Sequence, residues 1–154
     1  MNPGQRLLLW LGRTPVQTFI LYPLAVVVFE LALHRGELTI TLWGVPLLLW
    51  GYLQYFLVGR YRHPRAGGSR GMEVPPERII TRGPYRFSRN PMYLGMTLCL
   101  IGAAICFDSV VMLIAPVGFM TTVTLSWIRF EEAVLTRVFG AAYRAYVSRV
   151  RRWL

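Results

Sequence analysis

The chain has 154 residues, 55% of them hydrophobic, with a mean hydropathy of +0.44 and a formal net charge of +10. That length suggests a single domain over 1–154, and that hydropathy excludes an ordinary soluble domain. The charge alone would suit nucleic acid, but the apolar runs described next argue against that partner, and none is expected.

In chain order, four apolar runs stand out. Residues 16–33 carry one charge, Glu30, whereas 38–58, 91–107 and 109–128 carry none. Each run is close to the length needed to cross a hydrocarbon core of ~30 Å at about 1.5 Å per residue. The first is too long for a cleavable signal peptide, contains Glu30, and is not followed by a small-residue cleavage site, so it is expected as a retained helix. The pattern predicts an all-α polytopic membrane protein of about four transmembrane helices, at 16–33, 38–58, 91–107 and 109–128. A central segment, 59–90, and an amphipathic tail, 129–154, complete it.

All 17 basic residues are arginine. Arg6 and Arg13 precede the first run, and Arg35 lies in the turn after it. Eight arginines occupy 59–90 and six follow Ile128, so 16 of the 17 fall on one side of a four-helix topology. The positive-inside rule then places both termini and the central segment in the cytoplasm, facing anionic headgroups. Arginine without lysine suggests a GC-rich genome and a bacterial inner membrane.

The central segment opens with 60–76, rich in Arg, Gly and Pro, which predicts an irregular loop. Gly67-Gly68-Ser69-Arg70-Gly71 lacks the Lys-Ser/Thr of a phosphate loop and is expected to be a plain loop. Gly83-Pro84 marks a turn. Asn90 is a favoured N-cap and Pro91 a favoured first helical residue, so a helix is predicted to start at the inner membrane face. Its free N–H groups would attract a carboxylate or phosphate. The alternative is a helix cap flanked by interfacial Arg and Tyr anchors.

In the third run, Cys99 and Cys106 share a helix face and are expected as small buried apolar residues. After the fourth run, Glu131 and Glu132 are the only acids beyond Asp108. Either they pair with loop arginines, or they hold a cationic ligand group or position a proton. Beyond them Val134, Leu135, Val138, Phe139, Tyr143, Tyr146 and Val150 recur at helical spacing, which predicts an amphipathic helix broken at Gly140. No metal-ligating pattern is present and no metal is expected.

Two motifs in this order carry a resemblance. The first is Gly83-Pro84-Tyr85-x-x-x-Arg89-Asn90-Pro91-x-Tyr93-x-Gly95. The second is Arg129-x-Glu131-Glu132-x-x-Leu135-x-x-x-Phe139-Gly140-x-x-Tyr143-x-x-Tyr146. Together they resemble the isoprenylcysteine carboxyl methyltransferase and phospholipid methyltransferase superfamily over residues 77–150. The first two runs carry no signal beyond hydrophobicity.

The resemblance implies a membrane-embedded S-adenosylmethionine-dependent methyltransferase acting on a lipophilic small molecule or lipid, at O, N or S. Carried over by motif position, Ile79, Ile80, Tyr85, Asn90, Pro91, Tyr93 and Glu131 would line the cofactor pocket, with Glu132 beside them. Arg89 and Arg129 would orient an anionic acceptor. The carboxyl methyltransferases usually have His where this chain has Asn90, which weakens general-base chemistry there. Two rival readings remain. One is a lipid double-bond reductase using a nicotinamide cofactor, although the cysteine-containing motif of sterol reductases is missing. The other is a membrane scaffold or lipid-binding protein without activity.

Overall fold

The structure, a computed structural model, describes residues 16–33, 39–67, 76–108 and 111–154. Arg6, Arg13, the 34–37 turn with Arg35, and the glycine-rich loop beyond Gly67 lie outside the described residues. Within them the chain is all helical, with no strand. A π-helical turn, Gln17–Leu21, leads into α1, Tyr22–Leu33. Helix α2 is Val45–Ala66 and α3 is Pro91–Cys106. A 3-10 turn, Val111–Leu113, opens α4, Ile114–Thr122, which runs through a π-helical stretch, Val123–Ile128, into α5, Arg129–Val147.

The four apolar runs therefore become helices, but not four uninterrupted spans. No helix among the described residues is long and apolar enough to cross a membrane. Each departure has a local cause. Helix α3 has 16 residues, about 24 Å at the usual rise. The fourth run changes helix type twice. Helix α2 starts at Val45, where Pro46 suits a first turn, and not at 38.

Helix α2 also ends later than expected. The 60–66 stretch, read as loop, is helical to Ala66 and stops only at Gly67, whose φ of 66° is a conformation glycine adopts without strain. Arginine is a good helix former. The Arg60 and Arg65 guanidiniums lie over the rings four residues back, 5.9 Å from Phe56 and 4.0 Å from Tyr61.

The α2 and α3 backbones lie almost in contact. A Cβ on Gly51 would collide with Cys99 N and Gly95 O, one on Gly95 with Tyr55 N and Gly51 O, and one on Gly102 with Leu48 N and Gly44 O. Glycines seven apart on each side, 44 with 51 and 95 with 102, thus form a close backbone seam. Cys99 and Cys106 are buried along it. Two further hydrogen bonds tie the lead-in of α2 to the end of α3. The Thr41 N–H donates to Cys106 O (2.6 Å) and its hydroxyl to Ile105 O (2.9 Å).

Across α3 from this seam, Tyr93, Met96 and Leu100 pack with Phe119, Val123 and Ile128 into a core cluster. Phe19 and Tyr22, at the entry to α1, close it, Phe19 lying 5.0 Å from the Tyr55 ring and Tyr22 6.2 Å from Phe119. Trp153, near the end of the chain, packs against the same cluster.

Candidate active site

One end of this core opens into a cavity of about 230 Å³. Its walls come from four places: the middle and last turns of α2 (Tyr55, Arg62), the approach to α3 (Ile79, Ile80, Tyr85, Arg89), the first turns of α3 (Asn90, Pro91, Tyr93, Met96), and the start of α5 with the residue before it (Ile128, Glu131, Glu132, Leu135). Tyr143 and Tyr146 complete it.

The approach to α3 is shaped by Gly83, whose φ of 63° lets the chain turn under the Tyr61 ring into the 3-10 turn Gly83–Arg86. That turn is held from across the fold, where the Tyr146 hydroxyl donates to Tyr85 O at 2.7 Å. Burial pushes the Tyr85 phenol up to about 12, with Arg62 opposing and Glu131 adding to the rise. Tyr85 is therefore a neutral donor at any physiological pH. Tyr143 and Tyr146 are also raised, chiefly by burial.

Helix periodicity sorts the acidic motif. Each residue advances about 100° around the axis, which sets Ile128, Glu131, Glu132 and Leu135 on one face and turns Arg129 and Phe130 away. Ile128 is buried, and both glutamates line the cavity. Arg129, expected beside the acceptor, is exposed and not part of the wall. The other nine residues expected at the site all line this one cavity: Arg89, Ile79, Ile80, Tyr85, Asn90, Pro91, Tyr93, Glu131 and Glu132.

The two glutamates differ sharply. Glu132 accepts from Arg152 through both oxygens, at 3.1 and 2.7 Å, and pairs with Arg89 Nη1 at 2.8 Å. It is saturated by two guanidiniums, the ion-pair alternative raised above. Glu131 has a looser partner, Arg62 Nη2 at 3.6 Å. Burial raises the Glu131 carboxyl, Arg62 opposes that shift, and Glu132 adds to it. A carboxylate held this loosely in a partly dry wall is available to a cationic group.

Asn90 corrects a second expectation. It occupies the N-cap position of α3, but its side chain makes no capping hydrogen bond. Its Nδ2 donates instead to Arg152 O at 3.1 Å. The buried Ser88 hydroxyl donates to the same carbonyl (3.3 Å) and accepts from Asn90 N–H (3.1 Å). The approach to α3 is thus stitched to the C-terminal tail. Among the described residues, Arg89 Nε is a buried donor without a hydrogen-bond partner.

Arg62, Tyr55 and Arg152 were not anticipated. The first two sit on a helix whose run gave only hydrophobicity, and Arg152 contacts residues 20 and 62 positions away. The sequence signal for Arg62 was its place one turn from the end of an apolar run, on the side rich in arginine.

The model of the phospholipid methyltransferase family matches residues 41–142, about two thirds of the chain. The match begins well before the motifs and takes in all of α2, so that helix carries family signal as well as hydrophobicity. No curated protein and no solved structure matches the chain significantly.

Proposed function

The chain belongs to the phospholipid methyltransferase family, and on that premise we propose that it is a membrane-embedded S-adenosylmethionine-dependent methyltransferase with a lipophilic or lipid acceptor. Family membership implies methyl transfer in general. The observation that carries the finer reading is the cavity wall, which offers a loosely paired carboxylate, a helix start and several aromatic faces together.

The donor set fits the cofactor. Glu131 would exchange Arg62 for the α-ammonium, and the first-turn N–H groups of α3 suit the carboxylate. The Tyr55, Tyr85 and Tyr93 rings suit a sulfonium or adenine. Bound there, the cofactor supplies an electrophilic methyl group on sulfur. The chain's own part is to orient the acceptor and keep water out. Arg89, fixed by Glu132, would face an anionic head, whereas Arg129 has no such place. The cavity is somewhat smaller than the roughly 300–1,000 Å³ of sites that enclose a whole drug-sized ligand, so part of a nucleoside cofactor would project from it.

Membrane insertion is part of the proposal. Leu24 and Val28 on α1, Leu49, Trp50 and Leu57 on α2, and Ile114 and Val117 on α4 are each more than half exposed. Apolar surface of this extent suits lipid better than water, and close glycine seams suit helix packing in lipid. The arginine distribution supports cytoplasmic termini in a bacterial inner membrane. Labelling of cysteines placed at Gly67 and Asp108 should come from opposite sides of the membrane, and same-side labelling of both would remove the four-helix topology.

Calorimetric titration of the purified chain tests the activity class. S-adenosylmethionine should bind, nicotinamide nucleotide should not, and Glu131→Gln should weaken cofactor binding by about 1.5–3 kcal/mol, the worth of a hydrogen bond to a charged group. Binding of the nicotinamide nucleotide alone would make this a reductase. Binding of neither would make it a scaffold or lipid carrier.

A further inference from the structure

The tail beyond α5 carried no functional expectation, yet it forms part of the cavity's support. Three successive residues act there in different ways. The Arg151 carbonyl accepts from Arg89 N–H at 3.0 Å. The Arg152 carbonyl accepts from both Ser88 Oγ and Asn90 Nδ2, while its guanidinium forks onto the two oxygens of Glu132. Trp153 packs on the core cluster that includes Tyr93 and Met96. Every one of these contacts ends on a residue that lines the cavity or on its immediate support.

The charges explain why the fork matters. Glu132 stands between two guanidiniums, and it holds Arg89 through Oε1 only while its carboxylate plane is fixed. Arg152 fixes that plane by bonding both oxygens, Nε to Oε1 and Nη2 to Oε2. A planar fork does this and a point donor does not. Arg89 is only 12% exposed and has a spare Nε. If Glu132 turned, Arg89 would lose its ion pair and keep Tyr143 as its side-chain partner. The guanidinium would then no longer be fixed in the cavity wall, beside the start of α3 that is proposed to take the cofactor's carboxylate.

We infer that Arg152 is a positioning residue of the site: acting through Glu132, it fixes Arg89 in the cavity wall, and through its carbonyl it sets Asn90 and the start of α3. The effect on cofactor binding rests on the function proposed above, whereas the effect on the geometry of 83–90 does not.

The experiment therefore uses two readouts on the full chain: hydrogen exchange of the 83–90 amides, and S-adenosylmethionine affinity by calorimetry. Arg152→Gln should raise exchange across 83–90, Arg89 N–H included, and weaken the cofactor roughly tenfold, the equivalent of one charge-assisted hydrogen bond. Exchange in the glycine seam of α2 and α3 should not change. Arg152→Lys, the milder variant should Gln fail to fold, should rescue neither readout fully. Arg149→Gln, an exposed neighbour, should match the parent in both. Parent-like exchange of 83–90 in Arg152→Gln, or full rescue by Lys, overturns the inference, as does raised exchange with unchanged affinity. Raised exchange in a protein whose parent form binds no S-adenosylmethionine leaves the positioning role standing and removes the proposed function.

Discussion

The α2–α3 seam and the polar wall of the cavity share helix α3 but are held by opposite means. The seam contains no charge. Its stability comes from backbones brought together by glycines and from dispersion across a close contact. Contacts there are local in pattern, recurring every seven residues. The wall is built from groups that are expensive to bury alone, Arg62, Arg89, Glu131, Glu132 and several tyrosines, with Arg152 supporting them from the tail. It stands because almost every polar atom has a partner, and the partners lie 61 to 64 residues apart for Tyr85–Tyr146, Asn90–Arg152 and Ser88–Arg152. A seam tolerates no added volume, and a wall tolerates no lost partner.

That contrast predicts where the largest effect lies. Gly102→Val puts two methyl groups where even a Cβ meets the Leu48 backbone. Backbone on both sides cannot yield as a flexible side chain does, so overpacking should cost about 3 kcal/mol or more. The measurement is the yield and thermal midpoint of folded protein. Gly118→Val, where a Cβ meets nothing within 4 Å, is the control. Equal destabilisation by the two would show that the seam is no tighter than the rest of the bundle.

The wall should respond to pH where the seam does not. Burial raises the Glu131 carboxyl, so the folded state favours its protonated form. Its contribution to stability is greatest at low pH and is lost as pH rises through the raised value. On the proposed function, cofactor binding runs the other way, because the ammonium would need the carboxylate. Affinity for S-adenosylmethionine should therefore fall as pH drops through that value, by up to about tenfold per unit, or 1.4 kcal/mol. The decline should begin above the ordinary carboxylate range. Calorimetry across the acid limb checks this, with Glu131→Gln as reference. A parent curve as flat as that of the variant would detach Glu131 from the cofactor.

The same contrast explains what the sequence made legible. Apolar runs gave the helices because hydrophobicity is a local sum, and Asn90-Pro91 marked the start of α3 because Pro fits a first turn. The motifs gathered nine residues that line one cavity, since short spacings survive folding. Helix α2 beyond Val58 was missed because arginines and Pro64 resemble a loop, although the pairs Phe56–Arg60 and Tyr61–Arg65 are spaced as helical neighbours. Arg129 was misplaced because a motif does not say which side of the helix each residue faces. Nothing in the chain announces that Arg152 returns to Glu132 and Asn90.

Asn90 gives the smallest and sharpest test of seam against wall. A capping Asn would be replaced by Asp with little loss, since both are favoured N-caps and a carboxylate at a helix start gains from the dipole. Asn90 does something else in this fold. Its amide donates to Arg152 O, and its side chain makes no cap bond. Asp has no donor to offer that carbonyl and would set a negative oxygen against it. Asn90→Ala should cost about 1 kcal/mol, the net worth of one hydrogen bond, and loosen the tail. Asn90→Asp should loosen it further, because repulsion replaces attraction, even though Asp caps better than Ala. Thermal stability, read with hydrogen exchange of Arg89 N–H, whose acceptor is Arg151 O, separates the two roles. If Asp is as stable as Asn and Arg89 stays protected, the residue works as a cap and the tail is held by Arg152 alone. If the order is Asn, then Ala, then Asp, the amide serves the wall, and the start of α3 is fixed by the end of the chain rather than by its own first turn.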